Sequence, residues 1–165
     1  MAVADDIALI KEQERALVLP RFNEEIAFAI GCDIREHAVA AGQTITVEIR
    51  AGDRRLFYTA LAGTSADNDE WLRRKANLVH RLFRSTYRCV LENQGQDLSF
   101  PPRRALDNAD FVLAGGGFPI HVAHAGFIGS IAVSGLHERD DHRLVVDALC
   151  RHLGTDPGPL SLPPL

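Results

Sequence analysis

The chain has 165 residues, 46% of them hydrophobic and 24% charged, the size and balance of one packed globular domain. Its net charge of -4 and pI near 5.9 leave no basic field that would gather nucleic acid or anionic lipid, so neither nucleic acid nor a membrane is expected as a partner. Cys32, Cys89 and Cys150 form no close pair for a zinc site or redox motif and are expected to be buried, reduced thiols. Asp5 and Asp6 stand where a signal peptide would carry positive charge, and no apolar run reaches bilayer length, so the expected location is the cytoplasm.

In chain order, Ile7 to Leu19 reads as a helix with Glu12, Gln13 and Glu14 on its polar face, closed by Pro20. Phe22, Ile26, Ile30, Ile34 and Ala38 then recur every four residues, which predicts a second, core-facing helix ending near Gly42. Ile45, Val47 and Ile49 alternate with Thr46, Glu48 and Arg50, the pattern of a strand with one face on the core and one wetter. After a turn at Ala51 to Arg54, the run Leu56 to Leu61 is apolar on both faces and reads as a more central antiparallel strand, so residues 44–61 form a hairpin. Asp67 as N-cap, with Glu70 three residues on, predicts a long helix with Trp71, Leu78, Leu82 and Val90 on one stripe, a kink near Ser85 and a stop at Gly95.

Glu92 to Asp110, with Pro101-Pro102, reads as an irregular crossing segment. Phe111-Val112-Leu113 is strand-like and leads through Gly115-Gly116-Gly117 into a strand from Phe118 to Val122; a turn at His124-Ala125-Gly126 and a strand from Phe127 to Ser134 follow. Pro119 cannot donate to a ladder and places its strand at a sheet edge or strand start. Asp140 and Asp141 open a last helix that carries Leu144, Val145, Ala148 and Leu149 and stops at Gly154. The organisation expected is one domain over residues 1–154 and a Pro/Gly-rich tail over 155–165, flexible or polyproline-like unless something such as a neighbouring subunit holds it.

Three clusters could carry chemistry. In the first, Lys75 lies four positions after Trp71 and three before Leu78, so its ammonium follows the core-facing stripe and needs a carboxylate, backbone carbonyls or a ligand. It is either a lysine paired or snorkelling at the core edge, or a pocket lysine. In the second, Gly115 to Gly117 permits close approach of a ligand or of a neighbouring main chain; it lacks the spacing of a dinucleotide or P-loop motif. In the third, Ser134-Gly135-Leu136 leads into the last helix, where Asp140 and Asp141 can fill the anion-attracting N-terminus themselves. His142 there is a candidate neutral ligand or proton carrier, or else a capping or surface histidine. His121 and His124 flank a turn without acidic or thiol ligands at metal-site spacing, and no G-x-S-x-G nucleophile elbow is present.

Gln13-Glu14, Gly63-Thr64-Ser65 with Asp67-Asn68 and Trp71, Arg74-Lys75, Gly116-Gly117-Phe118-Pro119-Ile120 and Ser134-Gly135-Leu136 with Asp141-His142 resemble, in order and spacing, the GlcG/HbpS-like family, the haem-degrading-domain group. The resemblance is to a branch of about this length also found in fungi, and it covers residues 7–153; Ser85-Thr86-Tyr87 departs from a pair of serines in that branch. It implies a profilin-like α/β (α+β) layered fold, an antiparallel sheet of about five strands flanked by helices, and a homo-oligomer. It also implies haem as the cofactor, since members elsewhere in the family bind it.

The candidate ligand-binding residues are Asp67, Asn68, Trp71, Arg74 and Lys75 from the first cluster, Gly116, Gly117, Phe118 and Pro119 from the second, and Ser134, Asp141 and His142 from the third. No catalytic residue and no metal ligand is assigned. The first functional expectation is an oligomeric protein binding a small molecule, with haem propionates on Arg74 and Lys75 and an aromatic wall from Trp71 and Phe118. The alternatives are a non-enzymatic oligomeric scaffold or adaptor, and an enzyme on a small carbonyl or carboxylate metabolite with Lys75 as electrophilic or imine-forming amine. All rest on the three clusters meeting in space.

Overall fold

A four-residue apolar repeat builds helix α2 (Glu24–Ala40), whose Ile30, Ile34 and Ala38 are buried and whose N-cap Asn23 accepts the Ile26 N–H at 2.8 Å. Gly31 lies on the same side, and a methyl there would stand 2.3 Å from the Phe57 ring, so this helix can rest on the sheet only where the side chain is missing. The computed structural model describes residues 2–93 and 99–165; the expected helix stop at Gly95 lies outside them.

Among the described residues the sheet has four antiparallel strands, β1 (Thr46–Ala51), β2 (Arg54–Ala60), β3 (Gly117–Val122) and β4 (Gly126–Ser134), in the order β2-β1-β4-β3. Register pairs Ile49 with Phe57, Val47 with Val133 and Phe118 with Ile131. These odd-numbered and paired side chains join α2 and the C-terminal helix α5 (Glu138–Leu153) in one core, where Val145, Val146, Ala148 and Leu149 are buried. Each fully buried Ile, Leu or Val there contributes about 1.5–3 kcal/mol. The opposite face is covered by α3 (Ala66–Leu82), which reaches the strands through Arg50–Asn77 and Tyr58–Asp69 hydrogen bonds.

The layered α+β arrangement agrees with the expectation; four details differ. The sheet has four strands and not about five, because Phe111-Val112-Leu113 is irregular: the Phe111 N–H is taken by Asp107 O in a turn, and Leu113 packs with Leu78, Cys89 and Leu106. β2 is an edge strand and not a central one; of its apolar run Phe57 and Leu61 enter the core and Leu56 packs against it, while Tyr58 points to α3 and donates to Asp69 at 2.6 Å. β1 is the central strand, and its second face is covered by α3, so Thr46 and Glu48 are buried where a wetter face is expected. The cap of α3 is Ser65 and not Asp67: Asn68 Oδ1 accepts the Ser65 N–H at 2.9 Å.

The kink expected near Ser85 is a full break. Phe83 adopts a left-handed conformation (φ 57°) that ends α3, and α4 (Thr86–Asn93) starts anew. Glu14 of α1 (Ala2–Ala16) holds the break, accepting the Ser85 N–H at 2.7 Å and pairing with Arg88 at 2.7 Å. Pro119 sits on the edge strand β3, whose outer side meets a single bridge at Leu19. Of the three free thiols, Cys89 and Cys150 are buried and Cys32 half-buried.

The tail is held by its own chain. Leu160 and Leu162 are buried, Gln13 Nε2 donates to Leu160 O at 2.7 Å, and Arg139 donates from Nε to Pro163 O at 3.0 Å. Its composition hides these anchors because each partner lies more than twenty residues away in sequence. Among the described residues no helix is long and apolar enough to cross a membrane.

Candidate ligand pocket

The first turns of α3 and α5 and the glycine-rich segment before β3 converge on an open pocket of about 290 Å³. Asn68, Trp71 and Lys75 line it from α3, Ala114 from the segment before β3, and Ser134, Gly135, Leu136, Glu138 and Asp141 from the β4–α5 junction. The first and third sequence clusters therefore meet on the lining, and of the second Gly116 backs Lys75 and Asp141 without lining the pocket.

Lys75 and Asp141 form the floor. Lys75 Nζ donates to Val133 O at 2.8 Å and to Asp141 Oδ2 at 3.1 Å, with side-chain exposures of 3% and 2% for the pair. Asp141 Oδ1 also accepts the Leu136 N–H at 3.0 Å in the β4–α5 connection, while the cap of α5 is His137, whose Nδ1 accepts the Arg139 N–H at 3.3 Å. Burial pushes the Asp141 carboxyl up to about 6, against the opposing pull of the Lys75 charge and its hydrogen bonds. Burial likewise lowers the Lys75 amine, opposed by Asp141 and Glu138.

The glycines make room for this pair. Gly116 has φ +125°, and a methyl on it would lie 2.4 Å from Val133 O and 2.9 Å from Lys75 Nζ. Gly115 is pressed against Glu138 O and the Tyr87 ring, and Gly117 against Val79 and Thr86, whose hydroxyl accepts the Gly117 N–H at 2.9 Å. Main chain at Glu138, Val133 and Lys75 and side chains of Tyr87, Thr86 and Val79 thus press on this run.

The other candidate residues divide. At the mouth, Arg74 lies over the Trp71 ring at 4.5 Å, and Trp71 Nε1 donates to Asp67 at 3.3 Å. Gly117, Phe118 and Pro119 are buried in β3 and do not line the pocket; Phe118 belongs to the core on the α2–α5 side and forms no wall. His142 also lies outside it: fully buried between Tyr87 and Phe118, it shares a 2.7 Å hydrogen bond through Nε2 with Gln13 Oε1. It is neither a capping nor a surface histidine. Burial, helped by the nearby Arg139 charge, pushes it down to about 3, so it is neutral.

Ala114, Gly135, Leu136 and Glu138 complete the lining although none of them belongs to the candidate set. Glu138 Oε2 accepts the Gly115 N–H at 3.1 Å, a contact foreshadowed only by its place in the first turn of α5. His121 stands edge-on to Phe127, and His124 occupies the β3–β4 turn with φ 66°.

The family described as haem degrading protein HbpS-like matches residues 22–150. The chain belongs to the HbpS-like family. An HbpS-like relative at close range is a UPF0303 protein of Mesorhizobium japonicum, 58% identical over 156 residues that span 94% of this chain and 93% of the relative. Among solved structures, the crystal structure of yeast Ybr137w protein superposes with a TM-score of 0.81 at 22% identity, covering 90% of this chain and 87% of that one. Crystal structures of HbpS (TM-score 0.63, 18% identity, 81% and 91% covered) and of a PduOC:heme complex (TM-score 0.62, 16% identity, 81% and 94% covered) share the HbpS-like fold.

Proposed function

We propose that this HbpS-like chain is a small-ligand-binding protein whose ligand occupies the pocket above Lys75 and Asp141. The observation that carries the reading is a buried ion pair that lines the floor of an open cavity, with both members pushed from their ordinary pKa values. Trp71 and Leu136 offer apolar surface for the ligand body, and Asn68, Ser134 and Glu138 offer polar contacts.

Haem is the ligand class that the family description names and that one fold neighbour carries. The Trp71–Arg74 stack at the mouth suits a ring and a propionate. Iron is served less well, since no lining residue is a His, Cys, Met or Tyr, the side chains that hold haem iron. The volume of about 290 Å³ also sits at the small end of ligand pockets, which run from roughly 300 to 1,000 Å³. The geometry by itself therefore favours a small organic ligand, and the haem reading rests on the family.

Trp71 is the only tryptophan, so its emission reports occupancy directly. Titration with small metabolites and with hemin should give a saturable emission change that Ala114→Leu, which fills the pocket, abolishes. A hemin Soret band indifferent to Trp71→Ala and Lys75→Ala would remove haem from this pocket. A flat Trp71 response across the whole panel would remove the ligand reading.

A homo-oligomeric scaffold is the second reading. It is supported by exposed Phe28 and Val39 along α2 (61% and 52% accessible) and by the open outer edge of β2. Light scattering tests it: a monomer would defeat it.

A further inference from the structure

Of the 18 Lys and Arg residues, 16 are arginines, and the two lysines are Lys11 and Lys75. Arginine is the usual side chain for a buried ion pair, and the chain uses it in Arg88–Glu14 and Arg139–Asp6. At Lys75–Asp141, where both partners are at most 3% exposed, it keeps a lysine. Val133 O and Asp141 Oδ2 are its hydrogen-bond partners among the described residues, and Gly116 packs beside Nζ, where a methyl would come within 2.9 Å. Lys75 also lines the pocket, as does Asp141 beside it.

We propose that Lys75 is an imine-forming amine for a small uncharged aldehyde or ketone, with Asp141 as its proton carrier, an inference that rests on the pocket being a ligand site. Burial lowers the amine and raises the carboxyl to about 6, so both shifts narrow the gap between the ion pair and its amine–carboxylic acid form. In the first step Nζ bonds to the carbonyl carbon while the C=O π pair moves to oxygen. The oxygen takes the Asp141 proton, and a nitrogen proton returns to the carboxylate. In the second step Asp141 protonates the hydroxyl, water leaves, and the nitrogen lone pair closes the C=N bond. Nothing is oxidised or reduced.

The substrate class follows from charge and size. With Lys75 and Asp141 paired, Glu138 is the acid left over on the pocket lining, and Arg74 stands outside that lining on the Trp71 ring, so a carbonyl compound that carries its own carboxylate is disfavoured at Lys75. About 290 Å³ limits the ligand to a short chain or one small ring.

The test uses the intact wild-type chain, propionaldehyde and sodium cyanoborohydride at about pH 7, with peptide mass mapping of the N-propyl adducts. Lys11, 53% exposed, is the internal comparator, because an unactivated reagent reaches it first. Lys75 should be labelled faster than Lys11 by about tenfold. Asp141→Asn should slow Lys75 and leave Lys11 unchanged, and pyruvate should label Lys75 less than propionaldehyde does. Labelling of Lys11 ahead of Lys75 overturns the proposal. If propionaldehyde saturates the Trp71 emission while Lys75 stays unmodified, the imine is wrong and the pocket stands; silence in both readouts defeats both.

Discussion

His142 and Gln13, 129 residues apart, share a 2.7 Å hydrogen bond between Nε2 and Oε1 in the interior, and Gln13 passes the connection on by donating to Leu160 O at 2.7 Å. One amide thus joins α1, α5 and the tail. Gln13→Ala would leave a buried imidazole N–H and a buried carbonyl unpaired, at a cost of about 2–4 kcal/mol. The expected result is a lower urea midpoint together with proteolytic cleavage within 155–165 at protease levels that spare the wild type. A variant that loses less than about 1 kcal/mol and keeps its tail protected would show that the amide is not the anchor.

The same histidine and its neighbour Asp141 should tilt stability with pH in opposite directions. His142 falls from 6.5 to about 3, so the unfolded chain binds the extra proton, and this contribution is present above 6.5 and lost as pH drops toward 3. Asp141 rises from 3.8 to about 6, so the folded chain binds the extra proton, and this contribution is present below 3.8 and lost as pH rises through 6. Near pH 5 the two slopes cancel in the wild type, each being about 1.4 kcal/mol per pH unit. Relative to wild type, His142→Gln should therefore lose stability, and Asp141→Asn gain it, as pH rises between about 4 and 6. Denaturation midpoints across that window measure both, and parallel curves for the three proteins would contradict the assignment.

Gly116 and Gly52 both have positive φ, but only one is hemmed in. An alanine methyl at Gly116 would meet Val133 O at 2.4 Å and Lys75 Nζ at 2.9 Å, whereas nothing lies within 4 Å at Gly52. Gly52→Ala should cost only its backbone strain, about 1–2 kcal/mol. Gly116→Ala should cost about 3 kcal/mol or more, because β4 or the ion pair has to move as well. Equal melting temperatures for the two would mean that the Lys75–Asp141 pair is not seated against Gly116.

Local pattern carried most of the fold and only part of the site. The Ile30-Ile34-Ala38 repeat, the hairpin and the Gly154 stop are all local signals that the three-dimensional arrangement keeps. Position in the sheet is not local: Leu56 to Leu61 looks central because its apolar content is high, and only the pairing of β1 with β4 makes β2 an edge. Lys75 was legible because its place on the apolar stripe of α3 demanded a partner, and Asp141 and Val133 O provide it. His142 reads from the sequence as a ligand or proton carrier, or else as a capping or surface residue, although it shares the i, i+3, i+4, i+7 stripe with Val145, Val146 and Leu149; its buried partner Gln13 sits on another helix that no spacing rule connects.

Lys75 and Asp141 can be separated from the scaffold by a double-mutant cycle. Lys75→Met leaves Asp141 buried without its cation, at a cost of about 3–5 kcal/mol near neutral pH, and less where the carboxyl is protonated. Asp141→Leu strands the ammonium, now facing only Val133 O. The double variant places two apolar side chains of similar bulk in contact, and well-packed apolar replacements of buried ion pairs are often neutral, so it should recover at least half of the summed loss. Urea unfolding of the four proteins reads the coupling, and strictly additive losses would show that the two residues are held by other contacts. If the double variant folds with near-wild-type stability yet no longer alters Trp71 emission with ligand, stability does not require the charges on the pocket floor and binding does.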